Sequence, residues 1–232
     1  MNAPLISIVL PVYNEGERVA LIVESYLEAL KDFPAQHEII LVTNGCKDNS
    51  QEVCAALART HDTVRVHDTK EAGWGRAVKL GLQHARGDFL CYTNLSRTTA
   101  EGLTSMLTYA LAHPGAVIKS NRKIRESWRR RLGSLLYNLE CRSLFDLSAW
   151  DINGTPKIFP RSFSRLLALT RDDDLIDAEF NIICRREDYP LIEVPTFSNK
   201  RHGGSSTTNY RSAWKMYWGA FQMWRSLRKD RA

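Results

Sequence analysis

The chain has 232 residues, of which 44% are hydrophobic and 25% charged, with a formal net charge of +6. That length suits one α/β domain with a full core and is too short for two ordinary ones, and the composition is globular. No apolar run approaches the ~20 residues needed to cross a bilayer, and the sequence carries no nucleic-acid motif, so the positive charge points to a phosphate-bearing ligand or a membrane surface.

Cys46, Cys54, Cys91, Cys141 and Cys184 are odd in number, scattered and without zinc spacing. A reduced cytosolic protein is the simplest expectation. The first strand starts almost at once, which is expected to leave no room for a signal peptide.

Leu5–Val12 is a continuous apolar run, as a strand buried on both faces should be. Asn14, with Glu17 three residues on, has the pattern of a capping box for a helix striped by Val19, Ile22, Val23, Tyr26, Leu27 and Leu30. Glu38–Thr43 predicts a second strand, followed by the turn-rich segment Asn44–Ser50 and a helix capped by Ser50 or Asn49 and running to about Arg59. Thr63–His67 predicts a third strand, and Gly73-Trp74-Gly75 opens a helix to about Ala85. Strand and helix thus alternate through the first part of the chain, which argues a parallel sheet covered on both faces.

Phe89–Thr93 follows a Gly87-Asp88 turn and reads as a buried strand opening into Asn94-Leu95-Ser96-Arg97. In open α/β sheets ligands sit at the C-terminal ends of strands, so the chemistry is expected at this tip. Glu101–His113 is helical, Ala116–Lys119 a strand, and Ser127–Leu147 a long helix mixing Trp128 and leucines with Arg129-Arg130-Arg131. Asp151–Arg161 predicts a loop and strand, followed by a short helix to Leu169 and another from about Ile176 to Glu187. Leu191–Pro195 is the last strand, Asn199–Thr208 a polar basic loop, and Tyr210–Lys229 the final helix.

Seven motifs occur in a fixed order. They are Pro11-Val12-Tyr13-Asn14-Glu15; Gly45-Cys46-Lys47-Asp48-Asn49-Ser50; Gly73-Trp74-Gly75-Arg76-Ala77; Gly87-Asp88; Asp151-Ile152-Asn153 with Pro156-Lys157; Glu193-Val194-Pro195; and Arg201 with Gly204-Ser205-Ser206. From about Ile6 to Thr208 the chain resembles an inverting family-two glycosyltransferase of GT-A fold, and more narrowly the polyprenyl-phosphate (dolichol-phosphate) mannosyltransferase-like branch. The resemblance implies a mostly parallel central sheet with helices on both faces. It also implies a UDP- or GDP-linked sugar donor and a lipid-phosphate acceptor at the cytoplasmic membrane face. On this view residues 1–208 form the transferase domain, and 209–232 form a basic aromatic helix.

Residue by residue, the resemblance places the nucleoside on Pro11, Tyr13 and Glu15, although Asn14 and Glu15 equally suit a helix start. The family usually has an acidic residue after the second strand to grip the base; here Thr43 and Asn44 stand there, and Asn44 can still donate and accept. Gly73 and Gly75 would let a loop approach the nucleotide closely, or serve an ordinary helix-start turn.

The family's Asp-x-Asp motif, which holds a divalent metal on the donor pyrophosphate, is replaced by Asn94-Leu95-Ser96. Hard cations want carboxylate oxygens, so no tightly bound metal is expected, and Mg²⁺ or Mn²⁺ would be held only through the donor phosphates. Arg97, beside the lost site, can grip pyrophosphate in the metal's stead or be an exposed loop arginine.

Asp151 is the candidate base or orienting group, or else a turn-forming aspartate. Lys157, Arg201 and Ser205 are expected at the acceptor phosphate, with Asp177 near the acceptor side, and Asp172–Asp174 reads as a solvated helix entrance. The helices at 127–147 and 210–229 mix aromatic, leucine and basic residues as an interfacial helix does, or else carry ordinary core stripes. In the second, Trp214, Tyr217, Trp218, Phe221 and Trp224 would enter the lipid surface beside Arg211, Lys215, Arg225, Arg228 and Lys229.

Overall fold

A computed structural model describes residues 3–123, 128–197 and 210–229, with the side chains of 128–131, 210–213 and 229 left aside. The strands are β1 (Leu5–Val12), β2 (Gln36–Asn44), β3 (Val64–Thr69), β4 (Phe89–Tyr92), β5 (Val117–Arg122), β6 (Lys157–Pro160) and β7 (Leu191–Thr196). The helices are α1 (Val19–Leu30), α2 (Ser50–Thr60), α3 (Trp74–His84), α4 (Ala100–Ala112), α5 (Trp128–Phe145), α6 (Ile176–Arg186) and α7 (Tyr210–Lys229), with a 3-10 turn at Ser164–Leu167.

The strands form one seven-stranded sheet in the order β3-β2-β1-β4-β6-β5-β7. All neighbours are parallel except β6, which runs antiparallel to β4 and β5. The reversal places the N-terminal end of β6, and the turn before it, at the edge where every other strand ends.

Both faces of the sheet are covered because successive side chains of a buried strand point opposite ways. Ile6, Ile8, Leu10 and Val12 of β1 pack with α1, α2 and α4, while Val9 packs with α3 and α6. A third cluster joins Tyr137 and Cys141 of α5, Ala178 and Ile182 of α6, and Ala220 of α7.

Three local expectations are corrected. Helix α1 starts at Val19 and has no side-chain cap. Asn14 instead takes a positive φ of 52° and accepts a hydrogen bond from the Lys47 amide. At α2 the cap position is Asn49, but its side chain makes no capping bond, and Asp48 Oδ1 instead accepts from the Ser50 amide and hydroxyl. The strand expected at Ala116–Lys119 runs on to Arg122.

The loop after β4 is tied to α1 by Tyr26, a fully buried ring whose hydroxyl donates to Thr98 O at 2.8 Å. Burial, with Cys91 beside it, raises the Tyr26 pKa far above the ordinary tyrosine range, so this hydroxyl stays a donor. Tyr26→Phe leaves the Thr98 carbonyl without that donor and is expected to cost about 1–3 kcal/mol. Urea unfolding should show a lower midpoint at unchanged slope; an unchanged midpoint would mean the carbonyl finds another donor.

Candidate functional site

The C-terminal ends of β1, β2, β4 and β5 meet at one edge of the sheet, and the loops there are knitted together. After β1, the Glu15 amide donates to Ser50 Oγ and the Gly16 amide to Asp48 Oδ2, both at 2.9 Å. Desolvation works against the Asp48 anion, but the hydrogen bonds from Ser50 and Gly16 prevail and hold its pKa below the usual carboxylate value. Glu15 also pairs with Arg18 at 2.6 Å. Tyr13 stands exposed at this edge, while Pro11 is buried within β1.

Asn44 is also buried, and both ends of its amide are engaged. Nδ2 donates to Val12 O at 2.8 Å, and Oδ1 accepts from the Gly73 amide at 3.0 Å. The base-gripping role expected of Asn44 is therefore corrected to a brace linking the end of β1 to the start of α3. The glycines at 73 and 75 have a similar explanation. A Cβ at Gly75 would overlap Arg171 O, and one at Gly73 would come within 2.7 Å of Asp172 O. They let the 171–173 segment pack closely, which accounts for them without a nucleotide. Asp172 pairs with Lys79 at 2.6 Å and Asp173 with Arg171 at 2.7 Å, as a solvated entrance would.

The tip after β4 is closed on itself. Asn94 Oδ1 accepts from Ser96 N at 3.1 Å and Ser96 Oγ at 2.8 Å, and Leu95 is buried in the core. Thr93 and Thr98 join their hydroxyls at 2.7 Å, and Thr99 caps α4 by accepting from Gly102 N at 3.0 Å. Asn94 and Ser96 thus satisfy each other, and Arg97 is half-buried at the loop's end. This donor set does not suit a divalent cation, which favours anionic oxygens: the tip offers an amide oxygen already taken and a hydroxyl, and no carboxylate. Among the described residues no group of three or more His, Cys, Asp or Glu could hold a metal ion.

Across the edge lies the turn before β6. Asp151 is buried, and Arg122 from the end of β5 grips it with Nε at 2.7 Å, Nη2 at 2.8 Å and its own amide at 3.1 Å. Desolvation disfavours the Arg122 cation, yet the Asp151 carboxylate outweighs it and holds the pKa above the ordinary arginine value. Asp151 is therefore half of a bidentate pair rather than a solitary base. Arg122 escaped the sequence reading because the strand was ended at Lys119; the signal was a basic pair, Arg122-Lys123, at a strand's C-terminal end.

Lys157 contradicts its expected place on an acceptor phosphate. Its side chain has no exposure, and Nζ is bonded to Asp177, itself buried and accepting from Tyr92 OH at 3.0 Å. Asp177 thereby also leaves the acceptor side. Lys157 faces Lys119 in the strand register, and Lys119 faces Glu193 on β7. With Tyr92 opposite Lys157, these residues form one row across β4, β6, β5 and β7. Arg201 and Ser205 lie outside the described residues.

Burial pushes the Lys157 pKa down to about 8, Asp177 partly offsetting it and Lys119 adding to it. A lysine whose folded pKa lies below its unfolded value opposes folding while charged. The opposition is relieved as pH rises from about 8 towards the unfolded value. The stability difference between wild type and Lys157→Met, followed by denaturant unfolding, should therefore shift in favour of wild type across that range. A flat difference would show that the buried ammonium keeps an ordinary affinity for its proton.

The family model described as "Glycosyl transferase family 2" matches residues 7–167. An undecaprenyl-phosphate 4-deoxy-4-formamido-L-arabinose transferase of Proteus mirabilis is 26% identical over 209 residues, covering 88% of this chain and 63% of its own length. Glycosyltransferase GlyG of Streptococcus pneumoniae is 34% identical over 104 residues, 44% of this chain and 34% of that one. The chain thus spans under two thirds of the length of these relatives. Among solved structures, glucosyl-3-phosphoglycerate synthase of Mycobacterium tuberculosis with Mg²⁺ and UDP superposes with a TM-score of 0.74 at 15% identity, covering 95% of this chain and 79% of that one. That likeness establishes the GT-A-like fold. With the family model matching well over half its length, the chain belongs to glycosyl transferase family 2.

Proposed function

We propose that the protein transfers a sugar from a UDP- or GDP-linked donor, with inversion, to a polyprenyl-phosphate acceptor at a cytoplasmic membrane face. The observation that carries this reading is the Arg122–Asp151 pair, which lies at the same edge of the sheet as the Asn94–Arg97 tip. Support for the acceptor comes from the undecaprenyl-phosphate transferases that align with most of the chain at about 26% identity. A phosphate monoester is already anionic at neutral pH, since its second pKa is about 6. Its oxygen attacks the anomeric carbon from the face opposite the nucleoside diphosphate, which leaves with the electrons of the broken C–O bond. No strong base is needed, so Asp151 serves to aim Arg122 at phosphate.

Pro11, Tyr13 and Glu15 line the nucleoside side of this reading, and Arg201 and Ser205 the acceptor side. Structural neighbours are described with Mn²⁺ or Mg²⁺ alongside UDP. In this chain the Asn94–Ser96 tip has no carboxylate to offer, and we assign the charge on the leaving phosphate to Arg97. The same substitution favours a second reading, a sugar-nucleotide-binding protein without turnover.

Membrane attachment belongs to the same proposal. Leu132, Leu135, Leu136 and Leu139 of α5 are each about half exposed, at 49%, 53%, 51% and 62%. Their i, i+3, i+4, i+7 spacing makes one stripe opposite the buried Tyr137 and Cys141. On α7, Trp214 and Trp218 are exposed at 70% and 51%, near the exposed cations Lys215, Arg225 and Arg228. Tyr217 is corrected to the inner face: it packs on Tyr137 and donates to Gly133 O at 2.6 Å. The segment 209–232 is accordingly proposed as an interfacial element, although Ala220 shows that α7 is also packed on the domain.

Donor binding is tested by calorimetry with UDP, GDP and their hexoses. Glu15→Ala should weaken binding more than tenfold. Arg97→Ala should abolish most of it and Arg97→Lys restore part, with little change on adding EDTA. Strong EDTA sensitivity would show a metal-dependent site, and turnover of donor with undecaprenyl phosphate separates catalyst from binder.

Sedimentation with phosphatidylglycerol vesicles should fall as salt rises, each basic residue near the surface adding about 1 kcal/mol. It should fall further in Leu135→Glu with Leu139→Glu. Binding unaffected by either change would assign the stripe to another partner.

A further inference from the structure

The row Lys157–Lys119–Glu193 puts two lysines face to face on neighbouring strands with no solvent to screen them. Lys157 is accounted for by Asp177 and Tyr92. The Lys119–Glu193 pair is aimed elsewhere. Lys119 Nζ bonds to Glu193 Oε1 at 2.9 Å and also donates to the backbone oxygen of Asp151. Glu193 Oε2 accepts from the Trp150 amide at 2.9 Å, and Oε1 accepts from the Asp151 amide at 3.1 Å. The two side chains thus hold both amides and the carbonyl around the residue whose carboxylate grips Arg122.

The rest of the turn is equally constrained. Gly154 N donates to Asp151 O at 3.0 Å, and a Cβ at Gly154 would overlap Ser120 O on β5. The turn is pressed against the strand that carries Lys119 and Arg122, and any slip of the 150–151 peptide would carry the Asp151–Arg122 pair with it.

We propose that Lys119 and Glu193 are positioning residues. They clamp the Trp150–Asp151 peptide so that the Asp151 carboxylate, and through it the Arg122 guanidinium, is held at the acceptor side of the site. The proposal rests on the placement of Arg122 at the acceptor under the proposed function. A misplacement of about 1 Å at such a group can cost on the order of a hundredfold in rate. A buried ion pair by itself contributes little net stability, so the work done by this one is expected in turnover.

The charge swap Lys119→Glu with Glu193→Lys separates the two roles. It keeps the attraction between β5 and β7, but a lysine at 193 cannot accept from the two amides and a glutamate at 119 cannot donate to Asp151 O. The swap is made beside Lys119→Met and Glu193→Gln. Each variant is assayed for melting temperature, UDP affinity, hydrogen exchange at the Trp150 and Asp151 amides, and sugar transfer from UDP- and GDP-hexoses to undecaprenyl phosphate.

The expected result is a swap that melts above the single variants and binds UDP within twofold of wild type. Its amides should exchange rapidly, and its transfer should fall by more than tenfold. A swap that restores both amide protection and transfer overturns the proposal, because an ion pair alone would then suffice. If the swap does not fold, Glu193→Gln decides. It keeps the side chain's size and one acceptor oxygen, so one of the two amides should lose protection and transfer should drop with UDP affinity intact. Wild-type exchange and transfer in that variant overturn the clamp. If wild type transfers no sugar from any donor, the proposed function fails, and amide exchange in the variants alone decides the clamp.

Discussion

Two ammonium groups buried opposite each other would repel strongly in a medium of low polarity, and the half of the sheet made of β5, β6 and β7 is arranged to offset that. Each cation has its own carboxylate: Lys157 has Asp177 from α6, Lys119 has Glu193 from β7, and Arg122 has Asp151 from the turn before β6. The partners come from different elements, so the pairs fix how those elements sit on one another. An apolar row would pack as well and leave α6, β7 and the turn freer to shift. The antiparallel β6 is what makes the arrangement geometrically available, since it brings the start of a strand to the edge where its neighbours end.

The other half of the edge is held by a carboxylate, Asp48, and two neutral side chains, Ser50 and Asn44. Asp48 accepts from the Gly16 amide, Ser50 from the Glu15 amide, and Asn44 bonds to Val12 O and the Gly73 amide, so these backbone groups are paired within the protein. Residues that look like ligand-binding polar groups in a list are, in the folded chain, already bonded to backbone. Tyr13, exposed and unneeded by the core, is the contrasting case.

Helix α5 shows how a stripe can mislead. Its leucines have the spacing of a core face, yet the core is met by the opposite side, through Tyr137, Asn138 and Cys141. Periodicity shows that a helix has an apolar face; it does not show which face the rest of the protein covers. Here the covering side is the one that reaches α6 and α7.

From the sequence by itself followed the alternation of strands and helices, a sheet buried on both faces, the order of motifs and the absence of a carboxylate from Asn94-Leu95-Ser96. These are local facts, carried by hydrophobic period, turn residues and residue chemistry, and none needs a distant partner. Only the tertiary structure decided that β6 is antiparallel, that Asn44 and Lys157 are spent internally, and that Arg122 and Glu193 converge on the Asp151 turn. Those depend on contacts between residues far apart in the chain: Lys119 and Glu193 are separated by 74 positions. A side chain's pattern along the sequence states what it can bond to; its partner is chosen by strand order and burial, which exist only once the sheet has formed.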